Sequence, residues 1–223
     1  MIQISNLIKK YGETVIFSNL NYTFENTCIY GLVGRNGAGK TTLLNILSNY
    51  DKNYTGVISI DRKKMNKVDY LDMPVAYAMD QPSFFNELTI YENLLLIASS
   101  RKIKKQEAFD KIERILDGLG LKKYENYSPL ELSKGTMQRL NNACAMIQEE
   151  KITIFDEPFS GLDPVQMKLL ENVIVEFHKK EKGIYIISSH DIECLQNVCD
   201  KCLLLHNGQI REINMEEVDR EEI

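Results

Sequence analysis

No run of apolar residues in this chain is long. Runs such as Leu94 to Ala98 fall far short of the roughly 20 residues that a bilayer-crossing helix needs. The first residues also lack the apolar stretch of a secretory leader, so any work at a membrane is expected to borrow its span from another chain. Positive charge is not in surplus: 27 Lys and Arg face 32 Asp and Glu, a net charge of −5, which argues against a broad nucleic-acid face. Cysteines number 5, odd for a disulfide framework and suited to a reducing compartment. Cys199 and Cys202 form a C-x-x-C near Cys194 and His206, but the spacing matches no standard zinc pattern, and buried structural thiols are expected instead. Internal repeats, low-complexity tracts and heptad insertions are absent.

What is present suits one large domain spanning 1–223, with 43% hydrophobic and 26% charged residues. Its clearest feature is Gly34-Arg-Asn-Gly-Ala-Gly-Lys-Thr41, which fits G-x-x-x-x-G-K-[ST]. The apolar run Cys28 to Val33 before it reads as a buried strand, and Thr42 to Leu47 after it as a helix, the setting such a loop requires. Glycines at 34, 37 and 39 let backbone N–H groups converge on a polyphosphate, and the helix N-terminus adds its positive end. Lys40 supplies a full charge to the β- and γ-phosphates, and Thr41 a hydroxyl to Mg²⁺. The expected nucleotide contacts here are Gly34, Asn36, Gly37, Ala38, Gly39, Lys40, Thr41 and Thr42.

Short strand patterns flank this loop: Ile2, Ile4 and Leu7, then Val15-Ile16-Phe17 and Leu20 to Phe24, and later Gly56 to Ile60 and Val75 to Met79. The connection from Asp61 to Asp69, with Arg62-Lys63-Lys64, is expected to be a solvated loop. From about 83 to 150 the pattern turns helical: Thr89 to Ser99, Lys104 to Leu119, and a helix capped by Ser133 with Met137, Leu140, Cys144 and Ile147 at helical spacing. Strands and helices then resume through Ile152 to Phe155, a helix opened by Asp163-Pro164, Gly183 to Ser188 and a last strand pair around Asn207-Gly208, before an acidic tail from Glu216. The expected fold class is therefore α/β: a P-loop NTPase core with mixed and parallel sheet, an N-terminal antiparallel β part, and an inserted helical part.

The strand Ile152 to Phe155 ends in Asp156-Glu157. A P-loop enzyme needs carboxylates there: Asp156 to hold the Mg²⁺, and Glu157, pointing another way at the strand end, to orient or deprotonate the attacking water.

At this point the chain resembles the ATP-binding cassette family. Leu132-Ser133-Lys134-Gly135-Thr136 stands where that family has Leu-Ser-Gly-Gly-Gln, and Gln138-Arg139-Leu140 continues the match. Ser160-Gly161-Leu162-Asp163 looks like its D-loop, Ser188-Ser189-His190-Asp191 is similar to its switch-histidine segment, and Tyr11 is placed like the aromatic that stacks on adenine. The resemblance implies that ATP and Mg²⁺ are bound, and that Glu157, His190 and Lys40 are catalytic. It implies that Thr41, Gln81 and Asp156 serve the metal, and that Tyr11, Gln81, Ser133, Gly135 and Asp163 join the nucleotide contacts. The family's glutamine offset, counted back from Leu88-Thr89, falls on Asp80, whereas the glutamine itself is Gln81. Lys134 and Thr136 depart from the family pattern.

The same resemblance implies two nucleotide-binding subunits, alike or different, closing head to tail over two ATP. It also implies a separate transmembrane permease subunit and a place on the cytoplasmic face of the membrane. Export of an unidentified substrate is the expected task, and no nucleic-acid partner is expected. The alternative from another class is a soluble cassette ATPase acting on DNA or ribosomes. Phe84 and Phe85, after the glutamine loop, are expected to meet the permease.

Overall fold

Strands β3 (Cys28–Val33) and β8 (Ile184–Ser188) are apolar almost throughout, which suits strands covered on both faces. Successive side chains alternate between two cores. Ile29, Val33, Tyr185 and Ile187 enter one, and Tyr30, Leu32, Ile184 and Ile186 enter the other. The computed structural model describes residues 1–68, 72–190 and 192–214. Its larger sheet runs β10 (Gln209–Ile213), β9 (Lys201–His206), β3, β8, β7 (Ile152–Asp156) and β6 (Val75–Ala78). All neighbours are parallel except β9 and β10.

One face of that sheet packs against α1 (Lys40–Leu47) and a four-stranded sheet of order β2 (Thr14–Phe24), β1 (Ile2–Tyr11), β4 (Thr55–Ile60), β5 (Lys63–Lys64), antiparallel throughout. The other face carries α2 (Ile90–Ser100), α3 (Lys105–Gly118), α4 (Lys134–Met146), α5 (Pro164–Glu181) and the short α6 (Ile192–Gln196). Local signals place these helices. Thr89 and Glu92 close a capping box on α2, and Asp163 with Pro164 opens α5, whose last turn holds His178, Lys179 and Lys180 against the negative end of the dipole. The fold is thus α/β, with the mixed sheet, the N-terminal antiparallel sheet and the helices between β6 and β7 that the sequence leads one to expect.

Two expectations need correction. Val15–Phe17 and Leu20–Phe24 are one strand, β2; Asn19 takes φ 120° and the pairing with β1 slips register nearby, so the strand bends without ending. Lys63 and Lys64 are not loop but the short, exposed edge strand β5, where lysines blunt the open side of the sheet. Asp69, Asp191 and the acidic tail from Glu216 lie outside the described residues. All five thiols are free, and burial pushes those of Cys28 and Cys202 up to about 11, far from reactive thiolates.

Candidate active site

The parallel register of three neighbouring strands brings distant segments to one edge. Leu32 pairs with Ser188 and Ser188 with Asp156, so the loop leaving β3, the end of β8 and the end of β7 lie side by side. The loop at 34–39 lies flat on its surroundings. A Cβ on Gly34 would stand 2.5 Å from the Leu205 carbonyl oxygen, and one on Gly39, at φ 102°, would stand 2.8 Å from Ile16 Cγ2. Only glycine fits either position. Lys40 opens α1, is 8% exposed, and donates from Nζ to the Gly34 carbonyl at 2.7 Å. Asn36, Gly37 and Thr41 are exposed, with Ala38, Gly39 and Thr42 half-buried around them.

Asp156 is buried, and Ser188 Oγ donates to its Oδ1 at 2.5 Å while also accepting from the Glu157 N–H at 2.9 Å. Tyr77 Oη lies 3.0 Å from Asn45 Oδ1 and 3.4 Å from Asp156 Oδ2. Burial and the Asp156 charge push the Tyr77 phenol well up, so it stays a donor. Glu157 has φ +49°, a left-handed backbone that costs a non-glycine residue about 1–3 kcal/mol. Its N–H is held by Ser188 and its carbonyl by Gln138 Nε2 at 3.2 Å. The side chain reaches two partners: Oε2 is 2.9 Å from His190 Nδ1 and Oε1 is 4.0 Å from Lys40 Nζ. The carboxylate fixes a proton on Nδ1 of His190, a ring otherwise open to solvent.

The remaining expected residues make contacts of their own. Tyr11 ends β1, 51% exposed, with its hydroxyl donating to Asp51 Oδ2 at 3.2 Å and the Lys9 ammonium 4.4 Å above the ring. It pairs with Thr14 across the hairpin, two residues before Ile16, which touches the phosphate loop. Asp80 and Gln81 both follow β6 as exposed residues. Ser133 is the N-cap of α4, its Oγ accepting from the Thr136 N–H at 3.3 Å and lying 2.9 Å from Thr136 Oγ1. Thr136 is buried and also receives Arg139 Nη2 at 3.2 Å, while Lys134 lays its aliphatic stem over Gly161. A Cβ on Gly135 would come within 3.0 Å of the Gly161 carbonyl, so the 160–163 loop packs directly on the first turn of α4. Asp163 caps α5 through Gln166 N–H at 2.9 Å.

The donor set fits Mg²⁺. Asp156, Thr41 and Gln81 offer oxygen only, and Asp156 Oδ2 has just the long Tyr77 contact. Among the described residues no cluster of three or more His, Cys, Asp or Glu could hold a metal. Sequence reasoning missed Ser188 as a site residue and the buried amides Gln138, Asn141 and Asn142. The one available signal was their spacing at i, i+3 and i+4 on α4.

Known proteins resemble this chain over most of its length. The family model described as ABC transporter matches residues 17–160. The bacitracin transport ATP-binding protein BcrA of Enterococcus faecalis is 30% identical over 222 residues, covering 99% of this chain and 71% of the relative. The tungstate uptake system ATP-binding protein TupC of Peptoclostridium acidaminophilum is 29% identical over 211 residues, covering 95% and 97%. A solved structure described as the ATP binding subunit of an ABC transporter superposes with TM-score 0.88 at 26% identity, covering 99% of this chain and 92% of that one.

Proposed function

This chain belongs to the ABC transporter family as an ATP-binding subunit, and from that premise we propose that it cleaves ATP to ADP and phosphate to drive a membrane-spanning partner. One observation carries the reading: the Glu157 carboxylate, on a strained and doubly anchored peptide, stands between His190 and the loop lysine Lys40. The N–H groups of the 34–41 loop and Lys40 hold the β- and γ-phosphates, and Tyr11 stacks on the base. Thr41, Asp156 and Gln81 would hold the Mg²⁺, which when bound screens phosphate charge and orients the β- and γ-oxygens. Glu157 takes the proton of the attacking water as its oxygen bonds to the γ-phosphorus and the bond to the β–γ bridging oxygen breaks. His190 keeps that carboxylate aimed through Nδ1–H.

Within one chain Ser133, Gly135 and Asp163 serve as helix caps and packing. That placement supports a composite site in which the first turn of α4 from a second copy or a similar subunit completes the γ-phosphate's shell, with Asp163 at the seam. The chain acts as a single unit in this reading, with the helices of 83–150 as its outward-facing part. No described helix is long and apolar enough to cross a membrane, so the span is assigned to a permease chain, with this subunit on its cytoplasmic face. A groove of about 360 Å³ beside Phe84, Leu130 and Met137, next to the 59%-exposed Phe85, would receive that chain. Relatives include a tungstate uptake subunit as well as a bacitracin transport one, so the export expected from the sequence gains no support over uptake.

The test is Glu157→Gln. General-base help is typically worth about 10²–10⁴-fold, so this variant should bind Mg·ATP, accumulate as a dimer in sedimentation, and lose turnover by that factor. Wild-type-like turnover in Glu157→Gln would remove the residue from the chemistry.

A further inference from the structure

Helix α4 carries three amide side chains on one face, Gln138, Asn141 and Asn142, and all three are buried: 8%, 5% and 0% exposed. Apolar residues would bury more readily there, and a buried amide must find partners. Each of these finds a backbone carbonyl just past a strand end. Asn141 Nδ2 donates to Met79 O at 2.7 Å, beyond β6; Gln138 Nε2 donates to Glu157 O and Asn142 Nδ2 to Pro158 O, both at 3.2 Å, beyond β7. Sheet pairing has stopped at these points, and the chain is turning out into the site. Asn142 Oδ1 has no partner, which is a cost a leucine at that position would not bear.

The consequence falls on Glu157. Its N–H is pinned by Ser188, its carbonyl by Gln138 and by the Ser160 N–H at 3.1 Å, and the next carbonyl by Asn142, while its φ of +49° is one that side-chain-bearing residues avoid. With Gln138 removed, α4 holds this turn only through Asn142 at the Pro158 carbonyl and the Glu157 carbonyl keeps only the Ser160 N–H, so the peptide is freer to rotate toward an easier φ and to carry the carboxylate with it. The same helix begins at Ser133 and Gly135, one turn away from Gln138.

We propose that Gln138, backed by Asn142, is a positioning residue for Glu157, so that α4 sets whether bound ATP is cleaved. The inference rests on the reading of Glu157 as the water-activating group. It concerns cleavage rather than binding, since both amides hold carbonyls beyond β7 at the base itself.

The experiment is a double-mutant cycle on the full chain, with steady-state and single-turnover ATP hydrolysis as readouts. Gln138→Met keeps length and removes the donor. It is expected to lower kcat tenfold or more with KM for ATP unchanged within twofold, and to cost less than twofold further in the Glu157→Gln background. A residue that merely supports the fold would instead lower the melting temperature and cost the same factor in both backgrounds; that result overturns the proposal, as does an unchanged kcat. Should Gln138→Met not fold, Asn142→Leu, which also removes the orphaned oxygen, is expected to fold and to lower kcat severalfold at constant KM. An unchanged kcat there overturns the proposal equally. If Glu157→Gln itself turns over like wild type, the base assignment fails and this inference with it. If Glu157→Gln is inactive while both α4 variants match wild type, the base stands and only the inference falls.

Discussion

Ser188→Ala should be among the costliest one-atom deletions in this protein. The hydroxyl is completely buried, donates to the Asp156 carboxylate and accepts from the Glu157 N–H. A hydrogen bond to a charged group is worth about 1.5–3 kcal/mol, and a buried N–H left without a partner costs about 1–3 kcal/mol more. The two together give a loss of about 2.5–6 kcal/mol against a typical total of about 5–15 kcal/mol. For a chain of this size that corresponds to a melting temperature lower by about 5–24 °C. Urea unfolding at neutral pH measures it directly: the midpoint should fall while the slope stays that of wild type, because the surface exposed on unfolding is the same. Ser188→Thr restores the hydroxyl but adds a methyl to a filled site, so it should land between the two. A midpoint loss equivalent to under about 1 kcal/mol for Ser188→Ala would refute the reasoning, since it would mean neither contact contributes as its burial requires.

Three further outcomes are expected. Base stacking is worth about 1–3 kcal/mol, so Tyr11→Ala should weaken ATP binding about 5- to 150-fold, while Tyr11→Phe keeps most of it; equilibrium binding in the Glu157→Gln background measures both. Burial alone would raise the Asp51 pKa, but hydrogen bonds from Lys9, the Asn53 N–H and Tyr11, with the Lys9 charge, outweigh it and hold the carboxyl below its ordinary 3.8. A depressed carboxylate stabilises the fold above that value and ceases to as the pH falls through its folded pKa, so the melting-temperature gap between wild type and Asp51→Asn should be full at pH 7 and close below about pH 3.8. Phe84→Ala with Phe85→Ala should leave the ATPase of the isolated subunit intact and abolish co-purification with its membrane partner; undiminished co-purification would clear the groove of that role.

The parts of this site that were legible in the sequence are those fixed by neighbours along the chain. Gly34 to Thr41 and Asp156-Glu157 announce themselves by spacing and by the apolar strands before them, and Ser133 and Asp163 read as caps because a cap is a contact within three residues. What was hidden depends on partners distant in sequence. Nothing near Gln138 or Ser188 reveals that one holds a carbonyl 19 residues on and the other a carboxylate 32 residues back. The bend at Asn19 reads as a break in the sequence because a bulge interrupts period-two alternation just as a turn does. Asp80 and Gln81 stay adjacent candidates because both are exposed just beyond β6, where no strand pairing singles out either.

The neighbours of β3 set the order in which this protein can become competent during synthesis. The strand that feeds the phosphate loop is made early, at Cys28–Val33, yet both strands that flank it, Ile184–Ser188 and Lys201–His206, are made late. A nascent chain therefore carries its nucleotide loop on an unpaired, wholly apolar strand for most of elongation, a segment prone to stick elsewhere. Ability to hold ATP should arrive abruptly, once the stretch through His206 has cleared the ribosome, rather than growing with chain length.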